Sequence, residues 1–212
     1  MKAALACWQH RSGEYFEIAS GIPLQFLKLL CIDDEGDSDM HVDGRKTRLR
    51  LVELEDADFL LALRMDPEKN SYLSAVENDL GKQIEWLHDY KKREKQGAEY
   101  YFIIEDLEGT PFGSLRLYDF IGVSFCWGSW ILNDDRPSYM AVESALMVYE
   151  HAFYTLNFNN CHFDVRKENT KVIAFHERFG AKVTSEDDLN FYFNYSKADY
   201  ESIRPRYMRF LK

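Results

Sequence analysis

At 212 residues, 46% hydrophobic and 15% aromatic, the chain carries enough apolar material for one packed core with room for an appendage. Its formal net charge of −10 gives no general attraction to polyphosphate, which excludes nucleic acid as the expected partner. No stretch approaches the roughly 18 apolar residues of a membrane-spanning helix, and the apolar start ends at Trp8, too short for an export signal, so no membrane partner is expected.

Residues 1–46 read as an N-terminal extension. An apolar run, residues 22–32, is followed by the acidic stretch DDEGDSDMHVDG (33–44), which reads as a linker. The domain proper is expected over residues 47–212. TRLRLVELE (47–55) alternates apolar and charged residues and predicts a half-buried strand. Residues 56–65 predict a short helix stopped by Pro67, and residues 82–96 an amphipathic helix stopped by Gly97. Its KKREK run reads as a solvated face. Three strands follow, over residues 99–105, 111–120 and 123–132. Gly113 marks a bulge or a close backbone approach. Trp127 and Trp130, three apart, are expected on opposite faces of their strand.

A polar loop, 133–137, then leads into a long apolar helix whose Glu143 and Glu150 mark a solvated stripe. A strand carrying Cys161 and Asp164 comes next, then a helix from Asn169 to Gly180, where Gly180 suits a left-handed helix end. Residues 181–185 and 189–195 predict a terminal hairpin. Ser196 caps a last helix that Pro205 breaks or kinks. The order from Thr47 is β, α, α, β, β, β, α, β, α, β, β. It predicts an α/β (α+β) fold: a mixed, mostly antiparallel sheet of about seven strands with helices on both faces. Four cysteines, Cys7, Cys31, Cys126 and Cys161, show no C-x-x-C spacing. They fit neither a metal site nor a disulfide framework, so no metal is expected and a cytoplasmic protein with reduced thiols is.

Two local patterns carry chemistry on this order. Arg136-Pro137-Ser138-Tyr139-Met140-Ala141 opens the long helix, and the first amides of a helix form an anion site. Asn169 and His176 lie seven residues apart, two helical turns, and so share one face of the later helix. Order and residues together resemble the GNAT acetyltransferase superfamily over residues 47–195. The first window resembles the family's pyrophosphate loop, with Arg136 and Ala141 fitting, Tyr139 standing for its central glycine, and Pro137 removing one donor. The resemblance implies acetyl-CoA as co-substrate, its pyrophosphate held by Arg136 and the amides of Ser138, Tyr139, Met140 and Ala141. It implies that amides of Trp130, Ile131 and Leu132, exposed where two central strands splay apart, hold the acetyl carbonyl. It implies that Asn169 contacts the pantetheine arm and that His176 lies near the sulfur. There His176 would act as general acid, since an ordinary histidine pKa of about 6.5 allows either form.

The residues do not identify the general base. Glu105, Asp119 and Asp164 are carboxylates on or near strand ends, and a water chain is an alternative. For the acceptor, the resemblance points to a small-molecule amine, foremost a nucleotide-linked amino sugar. N-termini of ribosomal proteins are the alternative. Two non-enzymatic readings stand beside these: an acyl-CoA sensor without turnover, and a structural partner in an assembly. A monomer or homodimer is expected.

Overall fold

The computed structural model describes residues 40–72, 74 and 76–211, together with residues 8–9 and 15–16. The chain divides into two compact units, Met1–Asp37 and Ser38–Lys212. In the first, Trp8–Gln9 pairs antiparallel with Tyr15–Phe16. The apolar run at 22–32, Cys7 and Cys31 lie outside the described residues.

The second unit begins with β1 (His41–Asp43) and β2 (Thr47–Leu51). Then come α1 (Ala57–Met65), α2 (Pro67–Asn70) and α3 (Leu80–Lys95). The meander β3 (Tyr100–Asp106), β4 (Pro111–Ile121) and β5 (Ser124–Leu132) leads to α4 (Met140–Glu150). The chain continues through β6 (Asn160–Arg166), α5 (Thr170–Arg178), β7 (Lys182–Glu186), β8 (Asn190–Ser196) and α6 (Lys197–Tyr207). These strands form one sheet in the order β1-β2-β3-β4-β5-β6-β8-β7. All neighbours are antiparallel except β5 and β6, which run parallel.

The sheet has eight strands rather than about seven because the end of the expected linker joins it. Residues 41–43 pair with β2, and the Gly44 amide donates to the Thr47 carbonyl at 2.8 Å to close the turn. Glu143 anchors this turn from below. Its carboxylate, 1% exposed, accepts from the amides of Lys46 (2.7 Å) and Thr47 (3.3 Å). The expected solvated stripe on α4 is thereby corrected. Glu143 is buried as an acceptor of backbone amides, and Glu150 takes the Arg204 guanidinium at 2.9 Å and the Tyr200 hydroxyl. A buried carboxylate needs such donors to offset lost hydration.

Period-2 alternation divides the core. In β2, Thr47, Leu49 and Leu51 are buried while Arg48 and Arg50 are half-buried. In β3, Tyr101 and Ile103 pack under α1 and α3 with Val52, Ala57, Leu60, Leu87 and Tyr90. On the other face Phe102 meets His151 (6.1 Å between rings), just past α4. Each Leu or Phe fully buried this way contributes about 1.5–3 kcal/mol. The KKREK run is an ion-paired surface, with Lys91 on Glu53 and Glu94 and Arg93 on Glu99. The Ser196–Asp199 capping box forms at α6 as expected, but the helix passes through Pro205 and ends at Tyr207.

Two irregularities make room for a site. First, β5 and β6 are paired only at Ser124↔Asn160 and Phe125↔Cys161, and then separate. Second, β5 carries an extra residue against β4: Ser114 faces Ile131 and Arg116 faces Gly128, so Leu115 opposes both Ser129 and Trp130. Ser129 sits at φ 49° in this bulge. Beside it Gly113 makes the close approach its sequence context predicts, since a Cβ there would lie 2.2 Å from the Ile131 carbonyl oxygen.

Candidate active site

The separation of β5 from β6 opens a cleft of about 930 Å³ through the sheet. Past Phe125, β5 has β4 on one side and no strand on the other, so alternate backbone groups face the gap without ladder partners. Trp130, Ile131 and Leu132 line it. The bulge, however, overturns the expected placement of the tryptophans. Trp130 does not face away from Trp127; their rings lie 5.4 Å apart in the same wall. One extra residue in a strand reverses the alternation beyond it.

On the α4 and α5 side, Arg136, Ala141, Asn169 and His176 all line the cleft. Ser138, Tyr139 and Met140 do not. Helix α4 starts only at Met140, whose amide is already bonded to the Pro137 carbonyl at 3.1 Å, so its expected role as a free donor is corrected. Tyr139 instead lies under the Lys46 ammonium, 5.2 Å from its ring centre. Arg136 folds back on its own loop, donating to the Asn133 carbonyl at 2.8 Å. Ala141 lies in the first turn of α4, where helix amides lack intrahelical acceptors.

Helix α5 is set by its two ends. The Asn169 side chain caps it, accepting from the Val172 amide at 3.4 Å. At the other end Gly180, φ +91°, closes a Schellman turn: its amide donates to Glu177 and the Ala181 amide to His176. These two caps fix the face that carries Asn169 and His176 into the cleft. His176 is 5% exposed, with its ring 4.3 Å from Phe163 and 5.5 Å from Trp127. Burial among these rings pushes its pKa down to about 3. The expectation that either protonation state is open to it is therefore overturned: it is neutral at neutral pH. Its Nδ1 and the Trp130 indole Nε1 are both buried without partners among the described residues. Two unpartnered nitrogens in one wall are groups that a bound substrate with acceptor and donor atoms would satisfy. A thioester carbonyl and a pantetheine amide have that chemistry, so the residues present fit acetyl-CoA.

The three carboxylates considered as bases are not equivalent. Glu105 is 4% exposed and takes Arg50 at 2.9 Å, away from the cleft. Asp119 faces His162, at 3.2 Å, also outside the lining. Asp164 alone of the three lines the cleft, exposed on β6.

Other lining residues were invisible to sequence reasoning. Arg64, Lys69 and Tyr72 come from α1, α2 and the segment after them, Tyr118 from β4 and Asn190 from β8. Lys69 reaches across to Asp134 at 2.9 Å and so offsets the acid beside the anion loop. Tyr72 donates its hydroxyl to the Glu168 carbonyl at 3.3 Å on the opposite wall. No local motif announces them, because only the sheet brings them together. Among the described residues the lining holds five basic side chains, Arg64, Lys69, Arg136, Arg166 and Lys171, against four carboxylates. The described lining is thus near charge balance, unlike the net acidic chain as a whole.

A mixed sheet split between two parallel central strands, with a helix N-terminus at one edge of the gap, makes a site fit for an anionic ligand. Residues 46–182 match the family model described as the acetyltransferase (GNAT) domain, and the chain belongs to this family. It is an acetyltransferase. Among solved structures it is similar to apo FdhC, described as a nucleotide-linked sugar GNAT, at 47% identity and TM-score 0.75, over 82% of this chain and 99% of that one. The fold is shared by the Vibrio cholerae spermidine N-acetyltransferase in complex with CoA and spermine (20% identity, TM-score 0.61, 73% and 98% covered). It is shared too by a Vibrio cholerae structure described as a ribosomal-protein-serine acetyltransferase (15%, 0.63, 75% and 98%). No curated protein sequence matches the chain significantly.

Proposed function

We propose that this enzyme transfers the acetyl group of acetyl-CoA to the primary amine of a nucleotide-linked amino sugar. The observation that carries the acceptor class is the 47% identity to the nucleotide-linked sugar GNAT over nearly all of that chain. The ribosomal-protein and polyamine relatives, at 15% and 20%, share the fold and support no acceptor.

The cleft supports the chemistry. Amides of β5 facing the gap stabilise the carbonyl oxygen as the amine attacks and charge develops there. Asp164 draws the amine in and takes its proton. The C–S bond then breaks, and His176, held neutral, offers a ring N–H to the departing thiolate. A buried neutral imidazole stabilises that charge by hydrogen bonding rather than by delivering a proton from an imidazolium. Arg136 and the first turn of α4 hold the CoA phosphates.

The test is release of free CoA from acetyl-CoA with a panel of acceptors: nucleotide-linked amino sugars, spermidine, and peptides with free N-termini. Turnover is expected to be fastest with the nucleotide-linked sugars. Preference for the polyamine or the peptides sinks the proposal. A melting-temperature rise with acetyl-CoA but no turnover of any amine replaces it with a non-catalytic acyl-CoA sensor.

A further inference from the structure

The cleft has two sides, and their electrostatics differ. Asn169, His176, Arg136 and Ala141 belong to the α4 and α5 side. The opposite side is built by the end of α1, the segment after α2, and the outward face of β4 and β6, with Arg64, Ser74, Tyr118 and Asp164. Arg64 is the half-buried cation of this side; Arg166, two residues past Asp164 on the same face of β6, is exposed to solvent. Among the described residues Arg64 has no carboxylate partner. Its Nη2 donates to the Ser74 carbonyl (2.7 Å) and hydroxyl (3.0 Å), both neutral, and its Nε is buried with no partner. A second guanidinium, Arg116, lies close enough to repel it; its Nε is likewise buried without a partner, but its charge is answered by Glu99 and by the rings of Trp86, Tyr101 and Tyr118, which Arg64's is not.

A half-buried guanidinium with an idle donor and only neutral partners loses hydration without recovering it. Burial pushes its pKa down, the direction expected of a cation that lacks a counter-charge. Arginine keeps its charge regardless, and its planar fork matches phosphate oxygens. The position is also suggestive of an acceptor. Asp164 on the same side suits an ammonium, so this wall offers an anionic station together with the under-solvated guanidinium of Arg64. A nucleotide-linked amino sugar carries the matching pair, an amine on the ring and a diphosphate beyond it.

We propose that Arg64 is the anchor for the acceptor's diphosphate and so selects nucleotide-linked over free amino sugars. The inference rests on the acceptor class proposed above. A phosphate could equally come from the CoA donor, so the experiment separates the two sources.

The measurement is steady-state kinetics of the full chain and of Arg64→Gln and Arg64→Lys, with a nucleotide-linked amino sugar, the corresponding free amino sugar, and acetyl-CoA each varied. Both variants should raise KM for the nucleotide-linked acceptor by about 10- to 100-fold, the lysine less, with little change in kcat or in KM for acetyl-CoA. The preference for the nucleotide-linked over the free sugar should shrink by the same factor. A rise confined to the KM of acetyl-CoA overturns the proposal by assigning Arg64 to the donor. Equal losses with both sugars overturn it by showing that Arg64 only holds the Ser74 segment. Because the variants could misfold, unmodified enzyme supplies an independent reading. A nucleoside diphosphate should compete with the acceptor and not with acetyl-CoA; competition with acetyl-CoA alone overturns the proposal. If unmodified enzyme acetylates no nucleotide-linked sugar, the acceptor class falls and this inference with it. If it does and the Arg64 variants match it, only the inference falls.

Discussion

At the scale of single residues, two buried histidines carry a consequence that can be measured without a substrate. His176 and His151 are 5% and 7% exposed, and burial alone pushes their pKa values down to about 3 and about 4. In the unfolded chain both sit near about 6.5. Between those limits the unfolded state binds more protons than the folded one. Stability is therefore fully present above pH ~6.5 and falls as pH drops toward 4, by at most about 1.4 kcal/mol per pH unit for each histidine. His151→Phe, which keeps a ring against Phe102, should flatten that slope in urea titrations between pH 4.5 and 7. Parallel slopes in variant and parent would refute the account. The same depression predicts that kcat/KM shows no inflection near pH 6.5 owed to His176. A limb at that pH, present in the parent and lost in His176→Phe, would restore the imidazolium as the acid. The position of His176 could be read from sequence, because a seven-residue step to Asn169 and a closing Gly180 define one helix face. Its protonation state could not, because the rings that bury it come from β5, β6 and β8: Trp127, Phe163 and Phe193.

At the scale of elements, the site depends on how β4, β5 and β6 depart from regularity. The splay of β5 from β6 was legible through family resemblance, and the order of strands and helices through period and caps. The bulge at Ser129 was not. Nothing in FCWGSWIL distinguishes a straight strand from one with an inserted residue, since Trp, Ile and Leu are apolar on either face. A bulge is decided by register against the partner strand. Gly113 is the partner's accommodation: it lets the Ile131 carbonyl sit where a Cβ would intrude at 2.2 Å, against backbone that cannot swing aside like a side chain. Gly113→Ala should therefore push β5 toward the gap, costing about 1–3 kcal/mol of stability and depressing acetyl transfer beyond what the lost stability explains. A variant with unchanged melting temperature and unchanged kcat would show that β4 and β5 separate freely and that the bulge does not position Ile131. The loop at the start of α4 differs in kind. Its sequence already departs from a phosphate cradle at Pro137 and Tyr139, and the structure accordingly spends the Met140 amide on the Pro137 carbonyl and leaves Arg136 and Ala141 at the cleft.

At the scale of the whole molecule, every described residue lining the cleft belongs to the unit Ser38–Lys212. The end of the acidic stretch 33–44 belongs to the sheet, because His41–Asp43 pairs with β2 and the following turn is fastened to α4 by Glu143. Composition could not show this, since a short edge strand of polar residues reads like a linker. It does fix where a truncation is tolerable. A chain begun at Met40 keeps β1, the Glu143 contacts and the whole cleft lining. A chain begun at Thr47 loses the edge strand and leaves one of the two amides that answer the buried Glu143 carboxylate missing. Removing a partner of a buried charge costs more than removing surface contacts. The first truncation should retain the parent's melting temperature to within a few degrees and its kcat for CoA release, and the second should be clearly less stable. Loss of acetyl transfer in the chain begun at Met40, with its fold intact by circular dichroism, would instead make residues 1–39 part of the catalytic machinery.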